Sequence, residues 1–503
     1  MTTGSVWLAT SGIPRYPALG QDLVTDVAVI GGGLVGLTTA LLAQRDGAQV
    51  TVFEASRLGS GTTGYTTGKV TSQHSLIYAE LMARHGEDKA RMYAQANQAA
   101  VEQVAELTEQ FGIDCALTRA RAYVYSRDPG RRAKLEDEAV AAAKLGLPAD
   151  LVEELDLPFA IEAAVRFERQ AHFDPGRYLA GLAAAFTAAG GSIVEQTRIV
   201  DIEEQHDRTV VLKTGTETVR ANQVVVATLL PPGVLGGYFA RTRPARSYGI
   251  ACRLRGKAPK SMAISIDSPT RSTRPWPAPG PNGLIVVGNG HETGASDVDT
   301  EQQYRDLEQW TRDTFEVEEV DHRWSAHDYT TPDHIPYVGR APLHEMVWVA
   351  TGFQKWGLSN GTAAAMILTD LLAGRDNSWL PMFDATRIGD AQAVTKLIKD
   401  NLKVGKEFVG GRLGRPTVTA DELKAGTGGI VELDGDRAGA YRDQAGELHA
   451  VKPTCTHLGC PLHWNVAETS WDCNCHGSRF GVDGEILDGP AREPLQRISA
   501  DET

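Results

Sequence analysis

The chain has 503 residues, more than one hydrophobic core can serve, so two or three domains are expected. Its 50 Lys and Arg against 64 Asp and Glu leave a net charge of −14, which argues against nucleic acid as a partner. No window approaches the roughly 18 apolar residues of a membrane-spanning helix, and the first twenty residues lack the features of a secretory signal, so a cytoplasmic enzyme is expected.

Residues 26–54, DVAVIGGGLVGLTTALLAQRDGAQVTVFE, read as strand, glycine-rich turn, helix and second strand, a βαβ unit. From 78 to 155 the pattern is helical and charged, broken by a strand around Ala122 to Tyr125. Asp174 and Pro175 then read as the N-cap and first position of a helix that Gly190 and Gly191 end. Strands dominate from 192 to 330, notably QVVVAT at 223–228 and LIVVGNG at 284–290. The strand MVWVAT at 346–351 runs through Gly352 and Gly357 into a further helix, whose N-terminus would face a ligand. Residues 388–415 carry a lysine-rich amphipathic pattern, read as a linker helix packed between domains; over 390–412 it could also make peripheral membrane contact. From 416 to 503 short strands alternate with Gly, Asp and Asn turns, as in a small all-β module.

Gly31, Gly33 and Gly36 form G-x-G-x-x-G between strand and helix, with Leu34 and Val35 opening the helix. Glu54 closes the second strand, beside Ala55. The glycines permit the turn, the approach of backbone to a pyrophosphate and close helix packing, while Glu54 would hold a ribose hydroxyl. This fixes a dinucleotide but does not choose between FAD and NAD.

The wider sequence resembles the D-amino-acid oxidase superfamily, nearest its glycine and sarcosine oxidase branch, over residues 24 to about 387. The resemblance rests on LGSGTTGYTTGKV, DPGRYLAGL, VVVAT, PDHIPYVG at 332–339 and ATGFQKWGLSNGTAAAMIL at 350–368. It implies FAD bound in an extended pose by a Rossmann-type α/β domain, interleaved with an antiparallel-sheet substrate domain. The flavin parts would be about 24–77, 156–230 and 331–387, and the substrate parts about 78–155 and 231–330. Further flavin contacts are implied at Thr62, Thr63, Thr67, Gly68, Lys69, Thr228, Gly352, Phe353, Gly357, Leu358 and Ser359. Candidates for the substrate cavity and catalysis are Tyr65, His74, Arg246, Tyr248, His291, Lys355 and Trp356; Lys69 could instead pair with the cofactor phosphates.

Two departures qualify the likeness. Ala326, His327 and Asp328 stand where sarcosine oxidases place a flavin-tethering cysteine, which implies FAD held without a covalent link, although Tyr65 stands where some relatives carry a flavin-linked histidine. Ser359 follows Leu358 where those oxidases use a lysine for the substrate carboxylate.

Four of the six cysteines crowd into CTHLGC at 455–460 and CNCHGS at 473–478. Paired C-x-H and C-x-x-H loops offer two thiolates and two imidazoles, the donor set of a Rieske [2Fe-2S] cluster, with tetrahedral zinc as the alternative. Residues 416–503 resemble the Rieske family, including GPA at 489–491. The resemblance implies Cys455, His457, Cys473 and His476 as iron ligands and Cys460 with Cys475 as a loop-bridging disulfide. It also places Ser478 as a hydroxyl near the cluster sulfurs and Phe480 where high-potential members carry a tyrosine, implying an intermediate potential.

Flavin accepts electrons in pairs and the cluster one at a time. The expected function is therefore FAD-dependent oxidation of an amine or amino-acid-like substrate, with electrons leaving through the cluster to a one-electron acceptor protein or quinone. The alternatives are a reductase feeding an oxygenase, an oxygen-using amine oxidase with a structural Rieske domain, and a non-catalytic redox carrier.

Overall fold

A computed structural model of the protein describes residues 2–276, 280, 282–388, 395, 401 and 418–498. The linker helix expected over 388–415, with its membrane reading, lies almost wholly outside the described residues.

Apolar runs with no polar alternation build an eight-stranded sheet, since strands covered on both faces have no reason to alternate. Its centre is parallel: Val347–Thr351, Thr218–Val226, Leu23–Ile30, Val50–Phe53 and Ser192–Val194 lie side by side in that order. The helices Leu34–Arg45 and Gly357–Leu372 pack on it and on each other. Pro175–Ala188 joins them, capped as its sequence predicts, with Asp174 Oδ1 accepting from Arg177 N at 3.0 Å.

A second, ten-stranded sheet carries Val317–Thr330, Arg243–Leu254, Gly283–Glu292, Arg271–Trp276, Met262–Ser265, Thr118–Ser126 and Ala163–His172 in sequence. Its edges are Thr2–Thr3 and Lys69–Val70. Here the division expected from sequence is corrected. The strand Ala163–His172 pairs with Thr118–Ser126 and with Lys69–Val70, so residues 163–172 belong to this sheet and not to the dinucleotide part. The charged run RFERQ hid the strand because its polar side chains fall mainly at partly exposed positions.

The C-terminal module holds a three-stranded sheet, Thr427–Leu433 to Leu448–Val451, and a four-stranded one, Leu462–Asn465 to Ile486–Asp488. Its small core includes Trp471, Phe480 and all four local cysteines. The module is seated on the ten-stranded sheet and the helix Thr300–Thr314. Ala467 N donates to Thr300 Oγ1 at 3.2 Å, and Tyr304 OH to Glu468 Oε1 at 2.9 Å. Gly294 allows a close approach, because a Cβ there would lie 2.6 Å from Asn474 N.

Candidate functional site

A large cavity opens between the two sheets at the glycine-rich turn. Gly31 has φ of +111°, and a side chain there would strike Ala227 O at 2.5 Å; a Cβ on Gly36 would sit 1.9 Å from Gly31 O. Both glycines are thus required to bring strand, turn and helix together, leaving the helix N-terminus facing the cavity. Glu54 accepts from Gly32 N at 2.9 Å and Ser56 N at 2.8 Å. Burial raises its pKa, and those two amide bonds oppose the shift. A turn stripped of side chains, a helix start and an acid at the second strand fit a dinucleotide.

Of the residues expected at this site, Gly31, Gly33, Leu34, Val35, Glu54, Ala55, Thr62, Thr63, Tyr65, Thr67, Thr228, Phe353, Lys355, Gly357 and Leu358 line the cavity. Thr63 also fixes the helix start, its Oγ1 accepting from Leu34 N at 3.0 Å. Gly36, Gly68 and Gly352 shape the backbone behind it. His74 is buried away from the lining, between Tyr93 OH at 2.7 Å and Ser359 Oγ at 2.8 Å and stacked on Trp356, so this trio ties the loop after Lys69–Val70 to the helix Gly357–Leu372. Burial lowers the His74 pKa to about 3, as suits a neutral structural imidazole.

Arg246, Tyr248 and His291 do not reach the cavity. Ala245, Ser247 and Gly249 line it, and side chains alternate along a strand, so Arg246 and Tyr248 project from the opposite face. Tyr248 OH meets His291 Nε2 at 2.8 Å there. Arg246 is 1% exposed and bonded to Ser325 Oγ, with Glu468 and Asp472 of the C-terminal module each 3.7 Å away.

Sequence reasoning missed Asp328. It lines the cavity beside Lys355, and its carboxylate accepts from Tyr329 N at 2.7 Å and from Lys355 N. Burial pushes its pKa up to about 6, against the amide bonds and the Lys355 charge; burial lowers that of Lys355 in turn. Trp324, Ala326 and Asp328 alternate along one strand into the cavity, a period-2 signal the sequence did carry.

Lys69 does not line the cavity either. Its Nζ donates to Ser272 Oγ at 2.7 Å and Ala263 O at 2.9 Å. Ser272 stands opposite Val287, which does line the cavity, so the ammonium is held one strand to the side of that wall residue. Arg274, on the same face as Ser272, has three buried nitrogens without a hydrogen-bond partner among the described residues, as have both ring nitrogens of His172. Burial draws Lys69 down to about 7 and Arg274 to about 9. Unmet buried donors in such number call for an acceptor.

The cysteine and histidine loops converge. Cys455 and Cys473 are free and buried, their thiols close enough that each shifts the other's ionisation, while Cys460 and Cys475 form a disulfide. The His457 and His476 rings lie edge to face, 5.1 Å apart, both against Phe239. His457 Nε2 lies 3.0 Å from Gly233 O. A carbonyl only accepts, so Nε2 carries the proton and Nδ1, buried and without a partner among the described residues, presents its lone pair. Ser478 Oγ is likewise buried, beside the Cys455 thiol. Two thiols, a poised imidazole and a second beside it fit a Rieske cluster. Phe480 is fully buried in the module's core.

Two sites of these kinds define a flavoprotein oxidoreductase with an iron–sulfur module, and the comparisons agree. Residues 26–371 match the FAD dependent oxidoreductase family, to which the chain belongs, and residues 416–499 match the Rieske [2Fe-2S] domain. FAD and a Rieske [2Fe-2S] cluster are thus its cofactors. The chain is 36% identical over 497 residues, 98% of its own length and 97% of the relative's, to the "Putative Rieske 2Fe-2S iron-sulfur protein YhfW" of Bacillus subtilis. It is 24% identical to the gamma-glutamylputrescine oxidoreductase of Escherichia coli, across 71% of this chain and 86% of that one. Among solved structures, glycine oxidase from Geobacillus kaustophilus shares the fold, with TM-score 0.62 and 20% identity over 73% of this chain and 99% of that one. Among the described residues, no helix is long and apolar enough to cross a membrane.

Proposed function

We propose that the chain oxidises an amine or amino-acid-like substrate in the cavity and delivers the electrons singly, through the Rieske cluster, to an external acceptor protein or quinone. The observation that carries this reading is the shared wall between the two sites. Pro232 lines the cavity, and the next residue, Gly233, holds the His457 imidazole. FAD supplies a two-electron oxidant and the cluster a one-electron carrier.

The chain's own groups have separable tasks. Lys355 and Asp328 form a titratable pair facing the cavity, shifted towards each other, and one of them takes the proton that a substrate ammonium must lose before its C–H bond is oxidised. The names of the E. coli and Geobacillus relatives support nitrogen-bearing substrates.

The test is an anaerobic screen of amines and amino acids. Flavin absorbance and the cluster's electron paramagnetic resonance signal are followed together. A substrate that bleaches the flavin and then reduces the cluster is expected. A cluster that stays oxidised over many turnovers, with stoichiometric peroxide in air, overturns the relay.

A further inference from the structure

The cavity opened by the N-terminal glycine turn is closed by residues from the other end of the chain. Leu487 and Asp488 of the last Rieske strand, Ile486–Asp488, and Gly489, Ala491 and Arg492 just after it all line the cavity. This stretch is fastened to three segments that themselves line the cavity. Arg492 Nη1 donates to Val200 O at 3.0 Å, next to Ile199. Pro490 O accepts from Gly233 N at 2.8 Å, next to Pro232. Asp488 Oδ2 accepts from His327 Nδ1 at 2.8 Å, between Ala326 and Asp328. Gly489, at φ of +92°, turns so tightly that a Cβ would lie 2.5 Å from Ser478 Cα, so the strap packs backbone to backbone on the loop carrying His476.

We infer that the strap 486–492 is a wall of the FAD site, so that holding the flavin and seating the Rieske module are one coupled equilibrium. The inference rests on the cavity being the flavin site. A ligand enclosed by the seated module dissociates through the unseated state, and its affinity scales with the seated fraction. The coupling is reciprocal: bound FAD holds the module in place by the same factor. The iron–sulfur module therefore acts as a structural part of the flavin site as well as a redox centre. Cofactor loading and the alignment of the two centres become a single event.

The experiment compares hydrogen exchange in the full-length protein with FAD bound and with FAD removed, the cluster being present in both as judged by its resonance signal. The peptide 484–496 is expected to exchange more slowly when FAD is bound. In parallel, Arg492→Glu sets an acid beside Asp201 at a half-exposed position and should leave the cluster signal intact. It should speed FAD release roughly tenfold, the size of a modest coupling. If FAD protects the glycine turn, peptide 28–38, but leaves 484–496 unchanged, the inference fails and the flavin site stands. If FAD protects neither, both fail. Unchanged FAD release from an Arg492→Glu protein whose 484–496 peptide has loosened overturns the coupling equally.

Discussion

Replacing Arg246 with methionine separates a docking role from a catalytic one. The guanidinium is 1% exposed and lies 3.7 Å from both Glu468 and Asp472, which are themselves 19% and 3% exposed. Removing one partner of a buried charge set costs about 3–5 kcal/mol, because the remaining charge loses its compensation. Here the compensation is partial: Asp472 keeps Arg479 at 3.1 Å and Asn465 at 2.8 Å, and Glu468 keeps the Tyr304 hydroxyl at 2.9 Å. The expected loss is therefore about 3 kcal/mol, the lower end of that range. Urea unfolding followed by visible circular dichroism of the cluster and by tryptophan fluorescence should show it. The first transition should move to lower denaturant, while KM at temperatures where the module is seated stays unchanged. A protein as stable as the wild type would refute the reasoning and mean that the ion set only breaks even with an apolar side chain. A raised KM would return Arg246 to the substrate.

The other predictions follow from single observations. Gly36→Ala drives a Cβ to 1.9 Å from a backbone oxygen, so the purified protein should lack the flavin absorbance while keeping its iron. His457→Ala removes the imidazole whose Nδ1 has no partner among the described residues, and iron content and the cluster signal should be lost. Asp328, with a pKa of about 6 against an ordinary 3.8, keeps its proton in the folded chain where the unfolded chain has lost it. Stability should therefore fall as pH rises from about 4 through 6, and kcat/KM should rise through the same pKa if the carboxylate accepts the proton; Asp328→Asn should flatten both profiles. Arg274→Met removes three buried nitrogens that have no hydrogen-bond partner among the described residues, and Arg274 does not line the cavity, so Tm should rise while KM stays unchanged.

What the sequence revealed and what it hid divide along a physical line. The glycine turn and the convergence of the Cys–His loops were legible because their signals are local: a Cβ has no room at Gly36, and the candidate iron ligands sit in two short stretches. Arg246 and Tyr248 were misassigned although the correction was also local, since Ala245, Ser247 and Gly249 take the inward positions of the same strand. Asp328 needed the same alternation, counted from Trp324. The Lys69, His172 and Arg274 group could not be read in advance, because the curvature of a ten-stranded sheet brings together strands more than two hundred residues apart in the chain.

The strap is the extreme case. Nothing in LDGPAR marks it as a flavin contact, since its partners, Val200, Gly233 and His327, are fixed by how one folded module meets another. That dependence also says why the two modules belong in one polypeptide. Two separate proteins would lose translational and rotational freedom on meeting, at a cost of several kcal/mol, each time the cavity wall had to be completed. Tethering replaces that cost with an effective concentration in the millimolar range for a short linker. A wall made of backbone carbonyls, one aspartate and one half-exposed arginine can then hold a cofactor that the same contacts between free partners would not.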